Sequence, residues 1–185
     1  MRILGVDPGL TRCGLGVIDA PAARTLTLIE VSVASSSADA EAPDRLVKIA
    51  DAIDAVIAKH RPDAVAVERV FAQQNVRTVM GTGQVSGLVM VAARRAGLPV
   101  LLYTPSEVKA AVTGSGRADK AQVAYMVAKL LGLDAPPKPA DAADALAIAI
   151  THALKGGARL SASGGSATPA QQRWVEAERA ARRRH

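Results

Sequence analysis

Aromatic side chains are nearly missing from this sequence: one Phe, one Trp and two Tyr among 185 residues. Binders of RNA and single strands built on stacking platforms need several rings, so the composition argues against that class. Cysteine is just as scarce. Cys13 alone cannot form an internal disulfide, which points to a reducing compartment. No apolar run approaches the roughly 20 residues of a membrane-spanning helix. Met1-Arg2 leads directly into strand-like residues, so no signal peptide is expected. A cytoplasmic protein without a membrane partner is the simplest expectation.

What is present is an apolar fraction of 49%, enough for a globular protein with a sizeable core. The net charge of +6 is unevenly spread. Residues 1–157 hold 17 basic against 15 acidic side chains, and residues 158–185 hold six against two. Within the body, residues 69–129 carry Arg69, Arg77, Arg94, Arg95, Lys109, Arg117, Lys120 and Lys129 against only Glu107 and Asp119. That segregation fits a face that binds a polyanion.

Ile3, Leu4 and Val6 read as a buried strand that Pro8-Gly9 ends in a turn, leaving Asp7 at its C-terminal edge. In α/β sheets that edge is where ligands bind. Cys13–Asp19 and Thr25–Val31 read as two further strands of an antiparallel meander. A helix follows from Pro43 to Arg61-Pro62, with Leu46, Ile49, Ile53, Val56 and Ile57 on one face. Ala64-Val65-Ala66-Val67-Glu68 is a short strand that again ends in an acid. A second helix is expected from Asn75 to Ala96, a strand over Pro99–Tyr103, and a capping box at Thr104-Pro105-Ser106-Glu107. Gly114-Ser115-Gly116 breaks that third helix; another starts near Asp119, with Gln122 three residues on, and stops at Leu131-Gly132. Pro136-Pro137-Lys138-Pro139 leads into a last helix, Ala140 to Leu154, closed by Gly156-Gly157. The expected fold is α/β, a mixed five-stranded sheet flanked by helices. Residues 1–155 form the domain, and residues 156–185 form a flexible Gly/Ser linker and a basic tail, with a capping signal at Thr168-Pro169-Ala170-Gln171 before Trp174.

Asp7 and Glu68 end two different strands, and Asp141 and Asp144 open the last helix three residues apart, about 5–6 Å between Cβ atoms. Taken alone, the helical pair would complement the helix dipole, and Asp7 would cap its own turn. Four acids at element ends in a chain with a basic segment suggest more. Clustered carboxylates repel, and hard divalent cations relieve that; an all-oxygen set favours Mg²⁺ or Mn²⁺ over zinc. Two such ions are the usual apparatus for in-line phosphodiester hydrolysis.

Several segments together resemble the RuvC family of bacterial Holliday-junction resolvases. They are Gly5-Val6-Asp7-Pro8-Gly9, Val67-Glu68-Arg69-Val70-Phe71, Thr104-Pro105-Ser106-Glu107-Val108-Lys109, Gly116-Arg117-Ala118-Asp119-Lys120 and Asp141-Ala142-Ala143-Asp144-Ala145-Leu146-Ala147, in order over Met1 to Lys155. The resemblance implies a ribonuclease H-like fold, a homodimer, and Mg²⁺-dependent symmetric nicking of four-way DNA junctions in recombination and repair. Asp7, Glu68, Asp141 and Asp144 match the family's acidic tetrad, and would hold two ions per site, with Mn²⁺ as a substitute. Asp7 is expected to bridge both ions. Lys120, and behind it Lys109, would neutralise charge near the scissile phosphate. A branch-migration complex of RuvA and RuvB is the implied protein partner. The C-terminus, longer and more basic than the family core requires, is where the chain departs.

Phe71 fits a core position or an exposed one equally well, and the family match favours a wedge that unstacks junction bases. With Arg69, Arg77, Lys109, Arg117 and Lys120 it makes up the expected DNA-binding set. Gly83 and Gly87, beside Met80, Leu88 and Val91, suit a close helix–helix contact in a dimer. Tyr103 and Tyr125 are expected in the core, and His152, near the end of an apolar helix, is expected to be a satisfied surface or helix-end residue rather than a ligand. Two other readings compete. Asp7-Pro8-Gly9-Leu10-Thr11 is also a D-x-G-x-T turn like the phosphate loop of actin-like ATPases and sugar kinases, although 185 residues supply one of the two domains they need. A non-catalytic junction-binding scaffold is the other, and it gains nothing from acids near phosphate.

Overall fold

The computed structural model describes residues 1–22, 25–69 and 76–163, with side chains described for 1–21, 25–69 and 79–155. Phe71, Trp174 and the capping signal at Thr168 lie outside these residues, as does the side chain of Arg77. Among the described residues, three strands are followed by alternating helix and strand and then by three helices. They are β1 (Arg2–Asp7), β2 (Arg12–Ala22), β3 (Thr25–Ser35), α1 (Ala42–His60), β4 (Ala64–Glu68), α2 (Val76–Arg95), β5 (Val100–Tyr103), α3 (Pro105–Thr113), α4 (Lys120–Leu131) and α5 (Ala140–Ser163). The sheet runs β3-β2-β1-β4-β5. β1 to β3 form the antiparallel meander, while β4 and β5 join in parallel after helical crossovers.

Local chemistry explains several boundaries. Thr104 and Glu107 form a reciprocal capping box at α3, and Asp119 and Gln122 form another at α4. Gly114 and Gly132 close those helices in the left-handed region, where a side chain would be strained. α5 differs from expectation. It does not stop at Leu154 but continues through Gly156-Gly157 to Ser163, since two glycines weaken a helix without forbidding one.

Strand alternation divides the core. Leu4, Val6, Leu15, Val17, Val65 and Val67 pack with Ile49 and Ile53 of α1 and Val85 and Val89 of α2. Ile3, Ile18 and Ala66 face the other way, toward Val108 of α3, Val123 and Val127 of α4, and Leu146, Ile148 and Ile150 of α5. Tyr103 is buried on this side and its hydroxyl meets His152 Nδ1 at 2.8 Å, so His152 is a buried, bonded residue rather than a surface one. Tyr125 is not core. It lies 54% exposed, away from Val123, Val127 and Leu131, with Lys129 above its ring.

α5 lies very close on the sheet. On the α5 face, β1 and β2 present Gly5, Gly14 and Gly16, and a methyl group there would collide with the Ala145 carbonyl, the Asp141 carbonyl and Leu146 respectively. The helix answers with Ala142, Ala143, Ala145, Ala147 and Ala149, all buried. Backbone thus lies nearly against backbone. Gly14→Ala should therefore cost about 1–3 kcal/mol of stability and shift the start of α5; a lowered thermal midpoint is the expected reading.

Candidate active site

Period-two alternation decides where the acids point. Because Leu4 and Val6 enter the α1/α2 side of the core, Asp7 shares the α5 face with Ile3 and Gly5. Because Val65 and Val67 do the same in β4, Glu68 shares that face with Ala66. β1 and β4 run parallel with Val6 opposite Val67, so Asp7 and Glu68 end neighbouring strands at one edge. In the β1–β2 ladder Asp7 stands opposite Gly14, the residue on which the Asp141 backbone rests. Asp144 follows one turn along α5. The sheet and the helix thus deliver two acids each to one place.

The electrostatics show that these acids sense one another. Burial, then the charges of Glu68, Asp144 and Asp141, push the Asp7 carboxyl up to about 7, against the pull of Lys120. No hydrogen bond from its own turn enters, so turn capping does not account for it. Glu68 is raised as well, by burial and then by Asp144, while Lys120 and Lys109 act in the opposite direction. Lys120, the first residue of α4, donates to Asp144 Oδ2 at 3.0 Å, and that bond raises its own pKa. The structure therefore brings together Asp7, Glu68, Asp141, Asp144 and Lys120, with Lys109 reaching them through Glu68.

Arg12 was not anticipated. Its Nε lies 3.1 Å from Asp141 Oδ2, yet out of line for a hydrogen bond, so that buried oxygen accepts none. Hairpin arithmetic could have found it, since Gly14 pairs with Asp7 and Arg12 is two residues beyond on the same face. Among the described residues no three acid, His or Cys side chains close into a ready cation cage. Lys120 and Arg12 are the present partners of the two α5 acids. Cys13, buried beside the site, has its thiol pushed up to about 12 by burial, which keeps it inert.

The remaining expected residues fall around this centre. Arg69 is exposed one position past Glu68, its N–H bonded to the Tyr103 carbonyl at 2.7 Å, and Arg117 is exposed before α4. On α2, Met80 and Val91 are exposed, Leu88 is half-buried, and a Cβ on Gly83 or Gly87 would meet nothing within 4 Å. Among the described residues nothing packs on Gly83 or Gly87 of that stripe. No described helix is long and apolar enough to cross a membrane.

A family model described as "Crossover junction endodeoxyribonuclease RuvC" matches residues 3–152. The chain belongs to the RuvC family. A RuvC of Paenarthrobacter aurescens is 58% identical over 186 residues, covering all of this chain and 98% of the relative. One of Saccharopolyspora erythraea is 63% identical over 152 residues, covering 82% and 76%. Among solved structures, Thermus thermophilus RuvC in complex with a Holliday junction substrate superposes with a TM-score of 0.82 at 40% identity, covering 86% of this chain and 96% of that one. A yeast mitochondrial Holliday junction resolvase shares the fold at 16% identity and a TM-score of 0.57. The chain is thus a crossover junction endodeoxyribonuclease with the ribonuclease H-like RuvC fold. The match along the whole chain sets aside the actin-like and sugar-kinase reading of the Asp7 turn.

The raised Asp7 carboxyl has a measurable consequence. The folded state holds a proton there that the unfolded chain releases near pH 4, so this contribution to stability is complete below about pH 4 and lost as pH rises through about 7. In metal-free buffer Asp7→Asn should raise stability at pH 8 by roughly 2–4 kcal/mol, and by little at pH 4. Denaturant melts of both proteins across that range provide the check.

Proposed function

We propose that this chain cuts four-way DNA junctions by metal-dependent phosphodiester hydrolysis, working as a homodimer that makes two symmetric nicks. The observation that carries the reading is the mutual coupling of Asp7, Glu68, Asp141 and Asp144 at one sheet edge. A non-catalytic scaffold would have no use for it, because acids repel the phosphate it must bind. The Thermus relative's complex with a Holliday junction substrate supports the choice of DNA.

The donor set fits a hard cation. All four side chains offer oxygen, Asp7 and Glu68 have raised pKa values through burial and repulsion, and a buried Asp141 oxygen accepts no hydrogen bond. Two Mg²⁺ ions would be held by Asp7, Glu68 and Asp144, with Asp141 in support, and Mn²⁺ would serve as a substitute. When bound, the ions would supply Lewis-acid stabilisation of the phosphate and acidify the attacking water. Lys120 exchanges its bond to Asp144 for the charge developing on the phosphate, and Lys109 adds positive potential beside Glu68. Arg69, Arg77, Arg117 and Phe71 would hold the DNA arms, and the basic tail would add electrostatic affinity. RuvA and RuvB, in the cytoplasm, complete the expected setting.

A single site makes one nick at a time, whereas a four-way junction has two-fold symmetry and needs two. The exposed α2 stripe of Met80, Gly83, Gly87 and Val91 is suited to the two-fold contact, because its glycines let a second helix approach closely.

Asp7→Asn, Glu68→Gln, Asp141→Asn and Asp144→Asn should each abolish nicking of a synthetic junction, by about 10³-fold or more, while gel-shift binding persists. Chelation should do the same to the wild type, and near-normal nicking by Asp7→Asn would sink the mechanism. Gly87→Leu should leave the monomer folded, raise the dimer dissociation constant in sedimentation equilibrium, and lower paired nicks more than single ones.

A further inference from the structure

A cavity of about 630 Å³ opens beside the acidic centre, with Asp141 in its wall. Its floor is the β1–β2 turn at Gly9 to Arg12, and its sides are the start of α1 and the start of α2. Two arginines line it, and they are engaged very differently. Arg45 is committed to the scaffold: Nε donates to Ser36 Oγ at 3.0 Å and Nη2 to Thr11 Oγ1 at 2.9 Å, while Ser36 Oγ donates to the Leu10 carbonyl at 2.5 Å. The turn is thereby fastened to α1 and to the end of β3. Gly81 of α2 braces it from the other side, where a Cβ would come 3.2 Å from Leu10 Cβ.

Arg12 is carried on this fastened turn but is itself uncommitted. Its side chain is 60% exposed, and its one ion pair, to Asp141 Oδ2, lacks hydrogen-bond alignment. Among the described residues its terminal guanidinium nitrogens have no partner. A guanidinium fork matches the two non-bridging oxygens of a phosphodiester, and a rigid mounting lowers the entropy lost in gripping one. Asp141 belongs both to the cavity wall and to the acidic centre, so a strand lying across that centre would pass directly into the cavity.

We propose that this cavity is a phosphodiester subsite for the nucleotide adjacent to the cleaved bond, gripped by Arg12 and kept in place by Arg45. The assignment rests on the junction-cleaving reading above, and gives the DNA strand a contact outside the basic segment at 69–129. The alternative role for Arg12 is to neutralise Asp141.

The two roles separate in a double-mutant cycle read by binding alone. Binding of a fluorescent four-way junction is measured in EDTA between about 50 and 200 mM salt for wild type, Arg12→Gln, Asp141→Asn and the double variant. A phosphate contact predicts that Arg12→Gln lowers the slope of log affinity against log salt by about 0.9, and does so equally in the Asp141→Asn background. Arg12→Lys should restore the slope, and thermal melts should match the wild type. A neutral methylphosphonate placed next to the scissile position should weaken the wild type and leave Arg12→Gln unaffected there. An unchanged slope, or an effect that vanishes in the Asp141→Asn background, would overturn the subsite while leaving the junction-binding reading intact. Failure of the wild type to bind junctions would overturn that reading and the subsite with it.

Discussion

Everything in this molecule turns on how closely α5 lies on the sheet. Gly5, Gly14 and Gly16 remove the side chains that would hold it off, and the alanines of α5 remove those that would push back. Leu146, Ile148 and Ile150 add apolar area along the helix, but over the glycines the contact depends on dense packing. Its reward is positional. A helix seated at backbone distance brings Asp141 over the residue that pairs with Asp7, and Asp144 within reach of Glu68. Had the strands carried valine at those positions, the sheet would be no less stable as a sheet, but the four acids could not share one site.

The gathered acids then impose their own cost. Asp7 is buried among three other carboxylates and lifted to about 7, so the fold maintains a centre that ordinary packing would avoid. The chain limits the damage with cations from two directions, Lys120 from α4 and Arg12 from β2. Both are exposed and on rigid mounts, one behind a capping box, the other on a turn fastened by Arg45. Glu107 shows the contrasting case: its bond to Lys155, and then its bond to the Thr104 backbone N–H, pull its carboxyl down to about 2.

What could be read from the sequence was what short-range chemistry decides. Both capping boxes, the strand ends at Asp7 and Glu68, and the opening of α5 are local, and they lie where turn residues and alternation put them. What escaped depends on partners distant in sequence. Arg12 matters only because β2 returns antiparallel beside β1, and the seat glycines only because α5 crosses them. Tyr125 reads as core from its helical position alone, but the buried face of α4 is made by Val123, Val127 and Leu131, which leaves the ring in solvent beside Lys129. His152 near a helix end reads as a satisfied residue rather than a ligand; it is satisfied, but its partner Tyr103 lies in β5, and that bond lets it be buried.

That four acids from sheet and helix hold one cation site, assembled by the seating of α5, is directly measurable. A crystal structure of the protein soaked with Mn²⁺, with anomalous difference density collected at the manganese edge, tests it most directly. The expected result is a peak in contact with Asp7 and with at least one acid from α5. Peaks that avoid Asp7, or that touch the strand acids with no ligand from α5, would contradict it.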